Sequence, residues 1–438
     1  MRYVSELVIK PKVEDFIEQF GALAHAGDMT FCGQDILLRL EPGNVRCAAS
    51  REILCPSIKH TRRSKYHRTA QACQVYFELP IIQFNYLFKL NLLKIDEQSN
   101  KDRNKHIHSD MADTYTIALV DEDTAWDAFV RKAVGSTVFS TSTWLHCSAE
   151  ATGGQIHRLG CFRNGNLIAG VAGLARKRSG LQRLETPELT PHTGLLLAPI
   201  QSKGPAKAEA EQHRACDLLI DYLETQYDHV LLVHTPAIGD MRPFTWRDWD
   251  TRLRYTYQLD LADTKSLWDK IERRTRTVIR KAEKLGYTLQ STDDVALFRR
   301  LYETLYNQQS GGAPIAAAAA ERFVAAVLNA GLGQAYKVES PEGQVASVVV
   351  FVNDSDTTYA WAAGADPALN NTGATSLLYW QYFATTPLKR FDFVGANIPA
   401  VAFFKRGFGG DLKAYYVAEG YKSKWVKRAL SARRALRG

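Results

Sequence analysis

The chain has 438 residues, 45% hydrophobic and 23% charged, with a formal net charge of +8 at pH 7. This length and composition suit a soluble protein of two or three globular domains, and the positive excess favours anionic partners such as nucleotides, phosphates or an acidic membrane surface. The longest apolar candidate, Pro314 to Ala330, is broken by Glu321 and Arg322 and reads as an alanine-rich helix, which excludes a membrane span there.

In chain order, residues 1–110 stand apart. Charges occupy the place where a signal peptide needs its apolar stretch, so cytoplasmic residence is expected. This region holds a basic patch from Lys59 to Arg68, a β-prone segment from Val75 to Ile95, and a polar linker from Asp96 to Asp110. It is either an extension without a stable fold or a small accessory domain. The seven cysteines, Cys32, Cys47, Cys55, Cys73, Cys147, Cys161 and Cys216, are odd in number and lack CxxC spacing, so reduced thiols are expected. The group Cys47, Cys55, His60, His67 and Cys73 matches no zinc spacing, and no metal is expected.

From Met111, strands and helices alternate as in an α+β or α/β lobe. A helix is predicted over Asp123–Lys132 with Trp126, Phe129 and Val130 on its buried side. Strands over Ile156–Arg163 and Leu167–Arg176 are joined by the hairpin signal Asn164-Gly165-Asn166. A helix over Ala206–Tyr227 and strands over His229–His234 and Tyr255–Leu261 complete a first lobe, residues 111–263. The second lobe, residues 264–438, repeats the plan. Its helices are predicted over Lys265–Leu285, Val295–Gln308 and Ala316–Asn329, and its strands over Gly333–Glu339, Val345–Val352 and Thr357–Ala363. A loop over Gly364–Thr375 then enters an apolar helix. The end of the sequence, Lys422 to Arg437, is a basic helix with Trp425 among its lysines and arginines. It is either a solvated face or a contact for anionic lipid or RNA.

The most informative segment is Phe391-Asp-Phe-Val-Gly-Ala-Asn397, followed by Phe403-Phe-Lys-Arg-Gly-Phe-Gly-Gly410. Strand alternation turns Phe391 and Phe393 one way and Asp392 the other. Phe403 and Phe404 are expected to anchor the segment in a core, with Lys405 presented on a glycine-rich turn. This pair of segments resembles the signature of the FemABX-like branch of the GNAT acyltransferase superfamily. Weaker matches lie at Phe139–Leu145, Leu189–Gly194 and Arg280–Gly286. The resemblance covers roughly Ala118 to Tyr421. It implies an α+β fold of two GNAT-like lobes, each a mixed, mostly antiparallel sheet flanked by helices.

The resemblance also implies transfer of an acyl group from an activated donor to an amine, without a covalent enzyme intermediate. Lys405, with Phe404 beside it, would stabilise the oxyanion, and Asp392 would receive the amine proton directly or through water. Acyl-CoA would sit on the N-terminus of the helix that follows Asn370, Asn371, Thr372, Gly373, Ala374 and Thr375. That loop departs from the usual family pattern and would also serve as a ligand-free helix cap. Thr190, His192 and Gly194 resemble the family's substrate loop, although a tyrosine is more usual where His192 stands. Arg276 and Arg280, on a basic helix, could hold phosphates or form a solvated face. Tyr359 and Trp361 share one strand face, as core or as a wall of the substrate slot, and Asn397 completes the candidate pocket. Partners would be a small or nucleotide-linked amine acceptor and, in the tRNA-dependent members, aminoacyl-tRNA. A non-catalytic module binding a nucleotide-linked ligand or RNA is the alternative. GxSxG, Walker A, HExxH and GxGxxG motifs are absent, so hydrolase, ATPase, metalloprotease and dinucleotide readings have no support.

Overall fold

The computed structural model describes residues 29–32, 36–41, 44–49, 113–199, 204–308 and 312–435. The chain divides into two compact units, Met1–Asp110 and Met111–Gly438. In the first, β1 (Met29–Cys32), β2 (Ile36–Glu41) and β3 (Asn44–Ala49) form an antiparallel three-stranded sheet, with Phe31 opposite Leu38 and Leu38 opposite Cys47. The basic patch, the Val75–Ile95 segment, the polar run and Cys55, His60, His67 and Cys73 lie outside the described residues.

The second unit contains the same element order twice. The first series is β4 (Tyr115–Leu119), α1 (Asp123–Val130), α2 (Ser142–Thr152), β5 (Gln155–Arg163), β6 (Asn166–Arg178), β7 (Leu181–Glu185) with the short β8 (Leu196–Leu197), α3 (Pro205–Gln226), β9 (His229–Val233), α4 (Arg242–Thr245) and β10 (Asp250–Asp260). Two helices follow, α5 (Thr264–Lys270) and α6 (Arg273–Lys284). The second series is β11 (Thr288–Thr292), α7 (Val295–Asn307), α8 (Ala317–Asn329), β12 (Gly333–Glu339), β13 (Val345–Asn353), β14 (Thr357–Ala365), α9 (Ala374–Thr385), β15 (Arg390–Asp392), α10 (Pro399–Arg406) and β16 (Asp411–Tyr421). A last helix, α11 (Lys424–Ala435), ends the described chain.

The strands form one mixed 13-stranded sheet, ordered β11-β12-β13-β14-β15-β10-β16-β9-β7-β6-β5-β4, with β8 beside β6. The last strands are exchanged between the two series. β10, which closes the first, pairs with β15 of the second, while β16 pairs with β9 of the first. The two also pair with each other over nine residues, Asp250 opposite Glu419 through Gln258 opposite Asp411.

Apolar spacing explains the layers. Proline at the start of α3 removes an N–H that would have no helical partner, and Ala215, Cys216, Leu219, Ile220 and Leu223 fall on its buried stripe. Thr141 caps α2 by accepting from Trp144 N–H. α2 then packs Trp144, Cys147 and Ala151 with Phe323, Val324 and Val327 of α8, joining the two series through one core. Among the described residues, no helix is long and apolar enough to cross a membrane.

Three expectations need correction. The predicted helix Lys265–Leu285 is broken at Ile271 and Glu272, which are extended. Ile271 is buried and the Glu272 N–H bonds the Gly407 carbonyl at 2.9 Å, so tertiary contacts override helical propensity there. Lys405 lies in the last turn of α10 rather than on a glycine turn, and Phe403 is 53% exposed rather than anchored in a core.

Candidate active site

β14 and β15 run parallel over three paired residues, Thr357 with Arg390, Thr358 with Phe391 and Tyr359 with Asp392. Past Tyr359, β14 continues to Ala365 while β15 stops, so Asp392 marks the point where the strands part. Phe391 and Phe393 are fully buried on one side, as the alternation predicts. Asp392 is itself only 1% exposed. Its Oδ1 accepts from Thr256 Oγ1 (2.6 Å) and Val394 N–H (2.7 Å), and its Oδ2 accepts from Gln258 Nε2 (2.8 Å). Oδ1 thus holds two donors and Oδ2 one, so three hydrogen bonds fix the carboxyl group in place.

Beyond Asp392 the backbone turns through left-handed residues, Val394 at φ 53° and Gly395 at φ 86°. A β-branched side chain makes this costly at Val394. The turn directs three successive carbonyls at the Lys405 ammonium, which donates to Phe393 O (2.7 Å), Gly395 O (2.5 Å) and Val394 O (3.3 Å). Burial pulls the Lys405 pKa down to about 8, against the opposing charge of Asp392. Lys405 is therefore a cation held over a strained turn, and the 3.3 Å bond is the one most easily exchanged for another acceptor. Phe404 packs edge-on to Tyr379 and Phe408.

The segment Leu189–His192 of the first series meets this divergence. Trp361 Nε1 donates to Leu189 O (2.6 Å), and Trp144 Nε1 donates to Thr190 Oγ1 (3.0 Å). Tyr359 and Trp361 are buried, and Tyr359 turns its hydroxyl to Asp354 (2.6 Å), so the pair belongs to the core beneath this segment. His192 is 2% exposed, and its ring stands edge-on to Tyr415 with centroids 5.0 Å apart. Its Nδ1 lies 2.9 Å from the His234 carbonyl, while its Nε2 is buried and, among the described residues, has no hydrogen-bond partner. Gly194 admits the His234 ring, because a Cβ there would lie 2.6 Å from Nδ1. Asn397 accepts from Tyr255 N–H (2.9 Å) and donates to the Tyr415 hydroxyl (3.2 Å). Asp392, Lys405, His192, Thr190, Tyr359, Trp361 and Asn397 thus converge around one divergence.

The proposed donor loop is packed on one side by α6. A Cβ on Gly373, at φ 83°, would lie 2.2 Å from Val278 O, and Lys281 Nζ donates to Asn371 O (2.6 Å). Ala374 N–H is answered by Thr372 Oγ1 (3.2 Å), and Thr375 Oγ1 bonds Ser347 (3.1 Å). Among the described residues, the Thr375 and Ser376 N–H groups have no protein acceptor, as the start of a helix leaves them. Asn370 and Asn371 are exposed. Arg276 and Arg280 of α6 sit beside Trp268 of α5, and among the described residues neither contacts Asp392 or His192.

Thr256 and Gln258 of β10, Tyr415 of β16 and His234 were missed by sequence reading. Thr256 and Gln258 alternate with Tyr257, a pattern that could have marked their shared face. Their meeting with Asp392 depends on the strand exchange, which no local pattern reveals.

Residues 269–406 match the family described as the acetyltransferase (GNAT) domain. That stretch contains both Asp392 and Lys405 and marks this part of the chain as a GNAT acyltransferase domain. Among solved structures, FemX aligns at 12% identity and a TM-score of 0.53, over 69% of this chain and 96% of that one. L-PGS from Bacillus licheniformis aligns at 12% identity and a TM-score of 0.42, over 67% and 96%. A tandem GNAT protein from the clavulanic acid biosynthesis pathway aligns at 10% identity and a TM-score of 0.41, over 71% and 99%. No curated protein matches the chain in sequence. The chain has the two-lobed fold of the FemABX-like branch of the GNAT superfamily.

Proposed function

We propose that this protein transfers an acyl group from acyl-CoA, or a similar activated donor, directly to an amine acceptor. The carrying observation is the pair of opposite charges, Asp392 and Lys405, fixed where β14 and β15 part inside the GNAT domain. In this reading the amine attacks the acyl carbonyl, and the oxyanion replaces Val394 O at the Lys405 ammonium. Removing one such donor costs about 10²–10³ in rate. The Thr375 and Ser376 N–H groups would meet the donor's diphosphate at the start of α9.

A second reading, transfer from aminoacyl-tRNA, draws support from α6, which exposes Arg273, Arg280, Lys281 and Lys284 beside the same loop. Peripheral contact with an anionic membrane draws on α11, where Trp425 is 77% exposed under the Arg428 guanidinium and Lys427 is tied to Asp250.

The test is thermal stability with acetyl-CoA, longer acyl-CoAs and charged or uncharged tRNA, followed by turnover of Lys405→Met. A ligand at about 100 times its Kd adds roughly 2.7 kcal/mol. Stabilisation by a CoA thioester, with turnover lost in Lys405→Met, supports the proposal. Stabilisation by tRNA alone selects the second reading. A response to neither leaves a non-catalytic binding module as the better account.

A further inference from the structure

We propose that His192 takes the proton from the acceptor amine, an inference that rests on the acyl-transfer reading and assigns that reaction its base. The tautomer follows from the backbone. The His234 carbonyl can only accept, so His192 Nδ1 at 2.9 Å must carry the hydrogen, and Nε2 is left with its lone pair. Among the described residues that lone pair is buried and unpartnered, in a residue 2% exposed to solvent. Buried polar groups ordinarily find partners, so this one is suited to a donor that arrives with the substrate.

Its surroundings fit the task. The groups around the ring come from every packed element: His234 on the β9 side, Tyr415 on β16, Phe139 before α2, and Asp392 at the end of β15. Burial lowers the His192 pKa and the Asp392 charge opposes that shift, so the imidazole is neutral near pH 7 and Asp392 stabilises the imidazolium once formed. The same carboxylate acts on Lys405. Asp392 thereby serves as the common counter-charge for a base and an oxyanion holder, its own oxygens being committed to Thr256, Gln258 and Val394.

The amine lone pair forms the C–N bond, and the carbonyl π pair moves to oxygen beside Lys405. The amine proton passes to His192 Nε2, directly or through one water. The C–S bond of the thioester then breaks, and the departing sulfur takes the proton from the imidazolium. The products are an amide and a free thiol.

The experiment measures thiol release from acetyl-CoA with a panel of primary amines, from pH 5 to 9, for the full chain and for His192→Gln and His192→Phe. In the wild type, kcat/KM should rise with pH through a limb below 6.5. Both variants should lose about 10²–10⁴ in kcat, together with that acid limb, while the KM for acetyl-CoA holds. Variants within threefold of wild type, or an unchanged acid limb, overturn the role of His192 and leave the transferase reading standing. Wild-type protein that releases no thiol with any amine overturns both. A ¹⁵N spectrum of the imidazole tests the assignment without turnover: a neutral Nδ1–H ring at pH 7 is expected, and an Nε2–H tautomer or an imidazolium overturns it.

Discussion

β7 and β9 run parallel over three paired residues before they part, as β14 and β15 do, yet the two gaps are filled differently. The first is closed by backbone. Thr193 N–H bonds Val233 O, Thr186 Oγ1 takes both Val233 N–H and the Thr193 hydroxyl, and Leu195 N–H bonds His234 Nδ1. The second is bordered by a carboxylate, an ammonium and a strained turn. One architectural device therefore serves once as scaffold and once as a charged site. The scaffold also lends His192 to the site.

Substitutions should separate the two roles. The largest effect is expected at Lys405→Met: turnover falls about 10²–10³-fold. Wild-type turnover should also decline as pH rises through about 8, where the folded protein loses the Lys405 proton. Folded Lys405 binds fewer protons than the unfolded chain between about 8 and 10.5, so wild-type stability should rise over that window relative to the variant.

At the root of the first gap, His229 lies 2.7 Å from Glu419 and 3.1 Å from Glu185, and Arg252 meets Glu419 at 2.6 Å. Burial lowers the His229 pKa, but the carboxylates of Glu185 and Glu419 on either side of the ring outweigh it and raise the value. His229→Gln should cost about 3–5 kcal/mol by denaturant unfolding. The sign follows from the raised pKa: the deficit is full below about pH 6.5 and shrinks as pH climbs through the folded value. A deficit that grows with pH would place the imidazole in the neutral form.

Asp392→Asn comes next, at about 1–3 kcal/mol, because its amide must oppose one of three donors. Loss of the negative charge should also move the alkaline limb of turnover to lower pH. Gly373→Ala should cost about 1–3 kcal/mol from its left-handed backbone and its contact with Val278 O.

Local order was legible where period and capping agreed. The helix over 295–307, the strand pair around Asn164-Gly165-Asn166 and the alternation of Phe391, Asp392 and Phe393 all follow from residues near one another in sequence. The break at Ile271 was hidden, because it is set by Gly407, and so was the outward turn of Phe403, which the guanidinium of Arg274 covers 3.2 Å from the ring centroid. At the site, the residue types of Asp392, Lys405 and His192 could be read from the chain. Their bonds to Thr256, Gln258 and the Phe393–Gly395 carbonyls could not, since these arise only when distant strands pair.

The exchange of β10 and β16 reaches into how the chain acquires its structure. During synthesis, β10 waits for β15, and β9 emerges long before its neighbour β16, so the half of the sheet built on the first series cannot be completed until residues 411–421 have been made. Such late, long-range pairing favours slow folding with sticky strand edges left open in the interim. The second unit is correspondingly indivisible. An excised first half would lack β16 on β9 and an excised second half would lack β10 on β15, so neither would be a natural unit for recombination.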